Sequence, residues 1–284
     1  MGNPFRERLD RRAERTPVGS WIMAASPLVA EAMGHAGFDW GVLDMEHTPL
    51  DLMDLVHLLQ AVSGTPMTPI VRVPWNDTVM IKRVLDAGAQ TLLVPFVQNA
   101  EEARAAVAAT RYPPAGVRGM AGMSRASRFG TAPQYFARAH EDVCVIVQLE
   151  TPAAVAELEA IAAVPGVDAL FLGPADLSGS MGLVGQLMHP DVVALMTDAA
   201  RRARALGKPI GTVGGTPEVV AQYRAAGCDF LGVASDLGLL MRAAQGAAQA
   251  VRGGGPAAVP GSVGAAAAPA SSSTAAPSAS SSGY

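Results

Sequence analysis

Trp40-Gly41-Val42-Leu43-Asp44-Met45-Glu46-His47 reads as four residues of strand running straight into a cluster of ionisable side chains. A short, continuous apolar run is the pattern of a parallel strand covered on both faces. Beyond the cluster the period changes. Leu52, Leu55, Val56 and Leu59 recur at the spacing of one helical face, giving a helix over 50–62. One strand, one polar loop and one helix make a unit, and that unit recurs along the chain.

Further apolar runs predict strands at 19–23, 70–73, 91–95, 144–149, 169–172, 209–213 and 230–233, which with 40–43 makes eight. Helices fit between them. Ser26 or Pro27 opens one, Asp77 caps another that stops at Gly88, and Asn99 caps an alanine-rich one ending near Thr110. Pro152, Pro190 and Pro217 each sit where a helix favours proline, in its first turn. The last helix spans 236–251. Eight β-α units over about 230 residues predict a (β/α)₈ TIM barrel. An open doubly wound sheet is the alternative; it would need no eighth strand and would usually carry a glycine-rich turn after the first, where this chain has Ala24-Ala25-Ser26-Pro27.

The domain reading has three parts. Residues 1–16 form an extra N-terminal charged helix expected across the barrel bottom, and 17–252 form the catalytic barrel. Residues 253–284, almost wholly Gly, Ala, Pro, Ser, Thr and Val, are expected to be disordered, because they can bury too little to offset their ordering entropy. Of the 284 residues 50% are hydrophobic and the net charge is −4, with no dense basic run after residue 16. Nucleic acid and membrane are therefore not expected as partners. The absence of a signal-peptide pattern or an apolar span makes the cytoplasm the expected location. Cys144 and Cys228, within apolar runs, read as buried, reduced thiols.

In this fold the chemistry sits at the C-terminal ends of the strands. There the sequence places Asp44, Glu46 and His47, then Arg72, Gln148 with Glu150, and Gly173-Pro174-Ala175-Asp176. Gathering carboxylates from separate strands is costly unless a cation joins them. Oxygen donors of this kind suit Mg²⁺, Mn²⁺ or Co²⁺. Each residue also has a structural reading. Asp44 and Glu46 could cap the following helix, Arg72 could pair with Glu150, Asp176 could bond to its own loop, and His47 could be an ordinary loop histidine. The chain has only two lysines. Lys82 falls in mid-helix and Lys208 precedes the seventh strand, at the bottom, so neither can form a Schiff base at the mouth. A metal is then the electron sink to expect.

Six blocks in order resemble the class II pyruvate aldolases typified by 4-hydroxy-2-oxoheptanedioate aldolase and 2-dehydro-3-deoxyglucarate aldolase. They are 38–47, Val71-Arg72-Val73-Pro74-Trp75-Asn76, 85–90, Tyr112-Pro113-Pro114-Ala115-Gly116-Val117-Arg118-Gly119, Gln148-Leu149-Glu150-Thr151, and 173–178. The likeness runs over residues 18–251. It implies reversible cleavage of a 4-hydroxy-2-oxo acid, from aromatic or sugar-acid catabolism, to pyruvate and an aldehyde, with oxaloacetate decarboxylation as a side activity. By the same resemblance Glu150 and Asp176 are the metal ligands. Gln148, Gly173 and Ala175 form the pocket for the pyruvyl carboxylate, with the amides of Ala175 and Asp176 as donors because Pro174 has none. Arg72 holds the enolate oxygen, His47 is the general base, and Asp44 shares its loop. Asp86 is implied to raise the basicity of the histidine, although the strand map puts it at a helix end near the barrel bottom. Trp21 and Val213 are candidates for contact with the aldehyde half. The resemblance also implies a homo-oligomer of hexamer type that exchanges its C-terminal helix.

Two other functions fit the same fold. An acyl-CoA lyase of the malyl- or citramalyl-CoA type would need a basic groove, which Arg111, Arg118, Arg125 and Arg128 could supply. A non-catalytic carboxylate-binding barrel would be expected to lack part of the mouth constellation, which here is complete.

Overall fold

The structure, a computed structural model, describes residues 2–252. The predicted tail at 253–284 lies outside the described residues. Eight parallel strands close into a barrel in sequence order: β1 (Val18–Ile22), β2 (Trp40–Asp44), β3 (Thr68–Arg72), β4 (Thr91–Val94), β5 (Cys144–Leu149), β6 (Ala169–Leu172), β7 (Ile210–Val213) and β8 (Phe230–Ser235). The helices are α1 (Pro4–Asp10), α2 (Pro27–His35), α3 (Leu52–Val62), α4 (Thr78–Asp86), α5 (Ala100–Thr110), α6 (Tyr135–Asp142), α7 (Pro152–Ala156), α8 (Leu158–Ala162), α9 (Pro174–Ser180), α10 (Pro190–Ala205), α11 (Pro217–Ala226) and α12 (Asp236–Arg252). The TIM-barrel reading stands, with each strand within two residues of its expected bounds.

Two packed layers hold the barrel. Between strands and helices lie aliphatic residues such as Leu43, Val71, Leu92 and Leu172, all inaccessible to solvent. Inside the barrel, large and small residues alternate around Trp40, which meets Phe5, Trp21 and Phe230 edge to face. Gly19 makes that possible: a Cβ there would lie 2.1 Å from the Trp40 ring.

Helix α1 closes the bottom. Asn3 caps it, accepting from the amides of Phe5 and Arg6, while its Nδ2 donates to the carbonyls of Gln90 and Asp142 at 2.9 Å. Phe5 enters the barrel floor. Arg6, Arg8 and Arg12 reach outward to Asp168, Asp39 and Asp229, each of which immediately precedes its strand. The mouth at the other end is left as the open face.

Three local readings are revised. Asp51, paired with Asp54 in a capping box, caps α3, so the helix starts at Leu52 and neither Asp44 nor Glu46 is needed there. The helix beginning at Pro152 divides into α7 and α8 at Glu157. Helices α6 and α9 were not foreseen: Gln134 before α6 is left-handed and provides no side-chain cap, with an aromatic cluster of Tyr112, Tyr135 and Phe136 packing the helix, and α9 takes Asp176 into its first turn, so Asp176 is not a loop residue.

Candidate active site

Asp44 and Arg72 end β2 and β3 and are register partners. The guanidinium binds the Asp44 carboxylate through Nε at 2.9 Å and Nη2 at 2.6 Å. Its Nη1 lies 2.8 Å from Glu46 Oε2. The Arg72 side chain is only 8% exposed and that of Asp44 is fully buried. Asp44 also accepts from the amides of Glu46 and His47, which bends the loop back over the strand end. The reading of Arg72 as a partner of Glu150 is therefore corrected: the neighbouring strand offers Asp44 at the same level. His47 stands at the rim with its side chain 59% exposed and Nε2 3.8 Å from Glu46 Oε2. Burial raises the Glu46 pKa above the ordinary glutamate range, and Arg72 and His47 pull the other way.

Glu150, just past β5, is completely buried. Its Oε2 accepts from the Phe96 amide at 2.9 Å and its Oε1 from Gln148 Nε2 at 2.6 Å. Phe96 takes a left-handed backbone (φ +55°), a strained state that aims this N–H at the carboxylate. Burial pushes the Glu150 pKa up to about 8. The Phe96 amide opposes the shift, while the charges of Asp176 and Glu46 add to it. Glu46, Glu150 and Asp176 thus sense one another across the mouth. Asp176 lies in the first turn of α9, for which Gly173 is the N-cap and Pro174 the first residue. A Cβ on Gly173 would sit 2.5 Å from Glu150 Oε1, so only glycine permits this approach.

A cavity of about 540 Å³ opens over these groups. Trp21, His47, Arg72, Gln148, Gly173, Ala175 and Asp176 line it, together with Val213, Ser235, Gly238 and Arg242 from β7, β8 and α12. Asp44 and Glu150 stand behind the wall. Asp86 is elsewhere: it ends α4 and pairs with Arg118 at 2.7 Å. Within one chain the acidic neighbour of His47 is Glu46.

The donor set suits a hard divalent cation. Glu150 and Asp176 supply carboxylate oxygens, and the buried Gln148 Oε1 has no hydrogen-bond partner among the described residues. Among the described residues no three His, Cys, Asp or Glu side chains form a ready-made metal cage. The two lysines lie where the sequence reading put them, away from the mouth: Lys208 Nζ donates to the Val167 carbonyl at 2.6 Å at the bottom and Lys82 lies within α4.

Three of the four arginines weighed as a nucleotide groove are otherwise engaged. Arg118 is fully buried on Asp86 and beneath Tyr112, Arg125 donates to the Ala87 carbonyl, and Arg111 donates to the His140 carbonyl. Arg118 and Arg125 tie the 111–134 segment to the lower end of α4, and Arg111 ties it to α6. Phe96, Gly238 and Arg242 escaped the sequence reading. A positive φ at phenylalanine leaves no local signature, and Arg242 reads as an ordinary helix arginine.

A mouth of this kind can hold a carboxylate beside a carbonyl and steady an oxyanion on Arg72, which is the work of the carbon–carbon lyases of the aldolase class. Residues 18–243 match the family model described as HpcH/HpaI aldolase/citrate lyase, and the chain belongs to that family. A 2-dehydro-3,6-dideoxy-6-sulfogluconate aldolase of Pseudomonas putida is 52% identical over 242 residues, spanning 85% of this chain and 95% of the relative. A pyruvate aldolase of Rhizobium etli is 46% identical over 243 residues, 86% of this chain and 95% of the relative. Among solved structures, an HpcH/HpaI aldolase/citrate lyase family protein from Burkholderia cenocepacia superposes with a TM-score of 0.85 at 42% identity, covering 88% of this chain and 99% of its own.

Proposed function

We propose that this enzyme is a divalent-metal-dependent pyruvate aldolase that reversibly cleaves 4-hydroxy-2-oxo acids to pyruvate and an aldehyde. The observation that carries the reading is the buried Glu150, held by Phe96 and Gln148 and electrostatically coupled to Asp176 and Glu46. The names of the aldolase relatives support it.

Glu150 and Asp176 would hold Mg²⁺, Mn²⁺ or Co²⁺, which when bound supplies a Lewis acid for the C1 carboxylate and C2 carbonyl of the substrate. Gln148 and the amides of Ala175 and Asp176 position that carboxylate. His47, at the rim, takes the proton of the C4 hydroxyl through a water. The C3–C4 bond breaks, its electrons pass into the pyruvate enolate, and the C4 oxygen becomes the carbonyl of the aldehyde. Arg72 holds the developing enolate oxygen, a contribution of about 3–4 kcal/mol for a well-placed donor. A proton delivered to C3 releases pyruvate. Oxaloacetate decarboxylation passes through the same enolate and belongs to the proposal. So does a cytoplasmic homo-oligomer whose copies meet through α12, which exposes Leu237, Leu239 and Leu240.

Pyruvate release from a panel of 4-hydroxy-2-oxo acids, with and without chelator, tests the reading. Activity that appears with Mg²⁺, Mn²⁺ or Co²⁺ and disappears on chelation supports it. Turnover that survives thorough chelation removes the metal from the chemistry.

A further inference from the structure

We propose that Arg242 selects substrates by receiving an anionic group at the far end of the aldehyde half. This rests on the aldolase reading and extends it to the substrate class.

The mouth is electrostatically uneven. At the ends of β2, β5 and β6 stand Asp44, Glu46, Glu150 and Asp176, and among the described residues the arginine that meets them, Arg72, is already bound to Asp44 and Glu46. On the β8 side stands Arg242, for which no ion pair is formed among the described residues. It lines the same cavity as Arg72 and Asp176. It also borders an adjoining, largely apolar groove between α11 and α12.

The surface beside it is shaped for a ligand group. Gly238 presents bare backbone to the cavity. A Cβ there would lie 2.8 Å from Ser235 Oγ and 3.6 Å from Arg242 Nη1, so the hydroxyl and the guanidinium converge over the glycine. The first turn of α12 is fixed in place: Asp236 accepts from the amides of Met23 and Ala24 at 2.9 Å, bolting the helix to the end of β1. Arg242 sits less than two turns further on, on a helix whose start cannot swing away from its own mouth.

Charge decides the orientation. With its oxo-acid end at Glu150 and Asp176, a substrate that is anionic at its other end is repelled by the carboxylates and drawn to Arg242, which among the described residues is the cation lining the cavity that is not already paired. A planar guanidinium with a neighbouring hydroxyl suits a carboxylate or a sulfonate equally.

The test is aldol addition of pyruvate to three aldehydes of one chain length: succinic semialdehyde, its sulfonate counterpart 3-oxopropane-1-sulfonate, and neutral butanal. The wild-type kcat/KM should favour the anionic aldehydes, and rising salt should erode that preference by screening. In Arg242→Gln the anionic-to-neutral ratio of kcat/KM should fall at least about tenfold, chiefly through the KM of the aldehyde. Arg242→Lys should recover part of it, because a point charge remains. A loss confined to the carboxylate or to the sulfonate identifies the natural group. An unchanged ratio in Arg242→Gln, or equal losses on all three aldehydes, overturns the proposal. Absence of any adduct with the metal-loaded wild type would sink the aldolase reading instead, so the two failures are distinguishable.

Discussion

Asp44 and Arg72 stand opposite each other in the register of β2 and β3 and close a two-point clamp at 2.9 and 2.6 Å. Two of the three guanidinium nitrogens are committed to fixing its direction, and Nη1 is steadied by Glu46. The arginine is held rigid before any substrate arrives, which is what preorganised stabilisation of an oxyanion requires.

Arg72→Lys keeps the charge and loses the fork. Steady-state pyruvate release should fall about 10²–10³-fold in kcat. The variant should also melt earlier, because Asp44 stays buried with a poorer partner. Wild-type turnover in this variant would take Arg72 out of the mechanism.

His47→Ala separates the two reactions. Aldol cleavage needs the C4 hydroxyl proton removed, and decarboxylation of oxaloacetate does not. Cleavage should therefore lose about 10²–10⁴-fold while decarboxylation loses much less. Equal losses in the paired assays would count against the base.

Glu150 makes the metal-free protein sensitive to pH. Its pKa is about 8 in the folded chain, against an ordinary glutamate value of 4.5. The folded state therefore binds the extra proton, and stability falls as pH rises from about 4.5 to about 8. Below that window the penalty is absent, and above it the penalty is complete. Melting temperatures of chelated protein should decline across the window, and Glu150→Gln should flatten the decline. A wild-type profile no steeper than that of the variant would show that Glu150 titrates normally. For the same reason, metal affinity should rise with pH up to about 8, with release of a proton that calorimetry in two buffers can count.

Gly173→Ala tests the approach of β6 to Glu150. The added methyl would meet Oε1 at 2.5 Å and Cγ at 2.8 Å, and the Glu150 side chain, fully buried, has no free room to yield. Metal affinity, read by titration, should weaken about 10–100-fold. Retained affinity would mean that the carboxylate can bind from another position.

The barrel and most of the mouth could be read from local pattern. Eight apolar runs with helical stretches between them define the fold, and strand ends define which residues face one rim. Asp44, Arg72, Gln148 and Asp176 were therefore found from position alone. The cap at Asp51 displaced a structural reading of Asp44, and the aromatic packing that holds α6 had no short-range signal.

The chain order alone determined which strand-end side chains gather at one face, because placement at a strand end depends on period and length. Only the closed structure decided who pairs with whom. Arg72 meets Asp44 across 28 residues, and the Phe96 amide meets Glu150 across 54. Arg118, not the mouth, claims Asp86. The proton affinity of Glu150 and the outlook of Arg242 onto the cavity are likewise products of closure. Burial and charge proximity arise only when distant strands are brought side by side, and no local pattern encodes them.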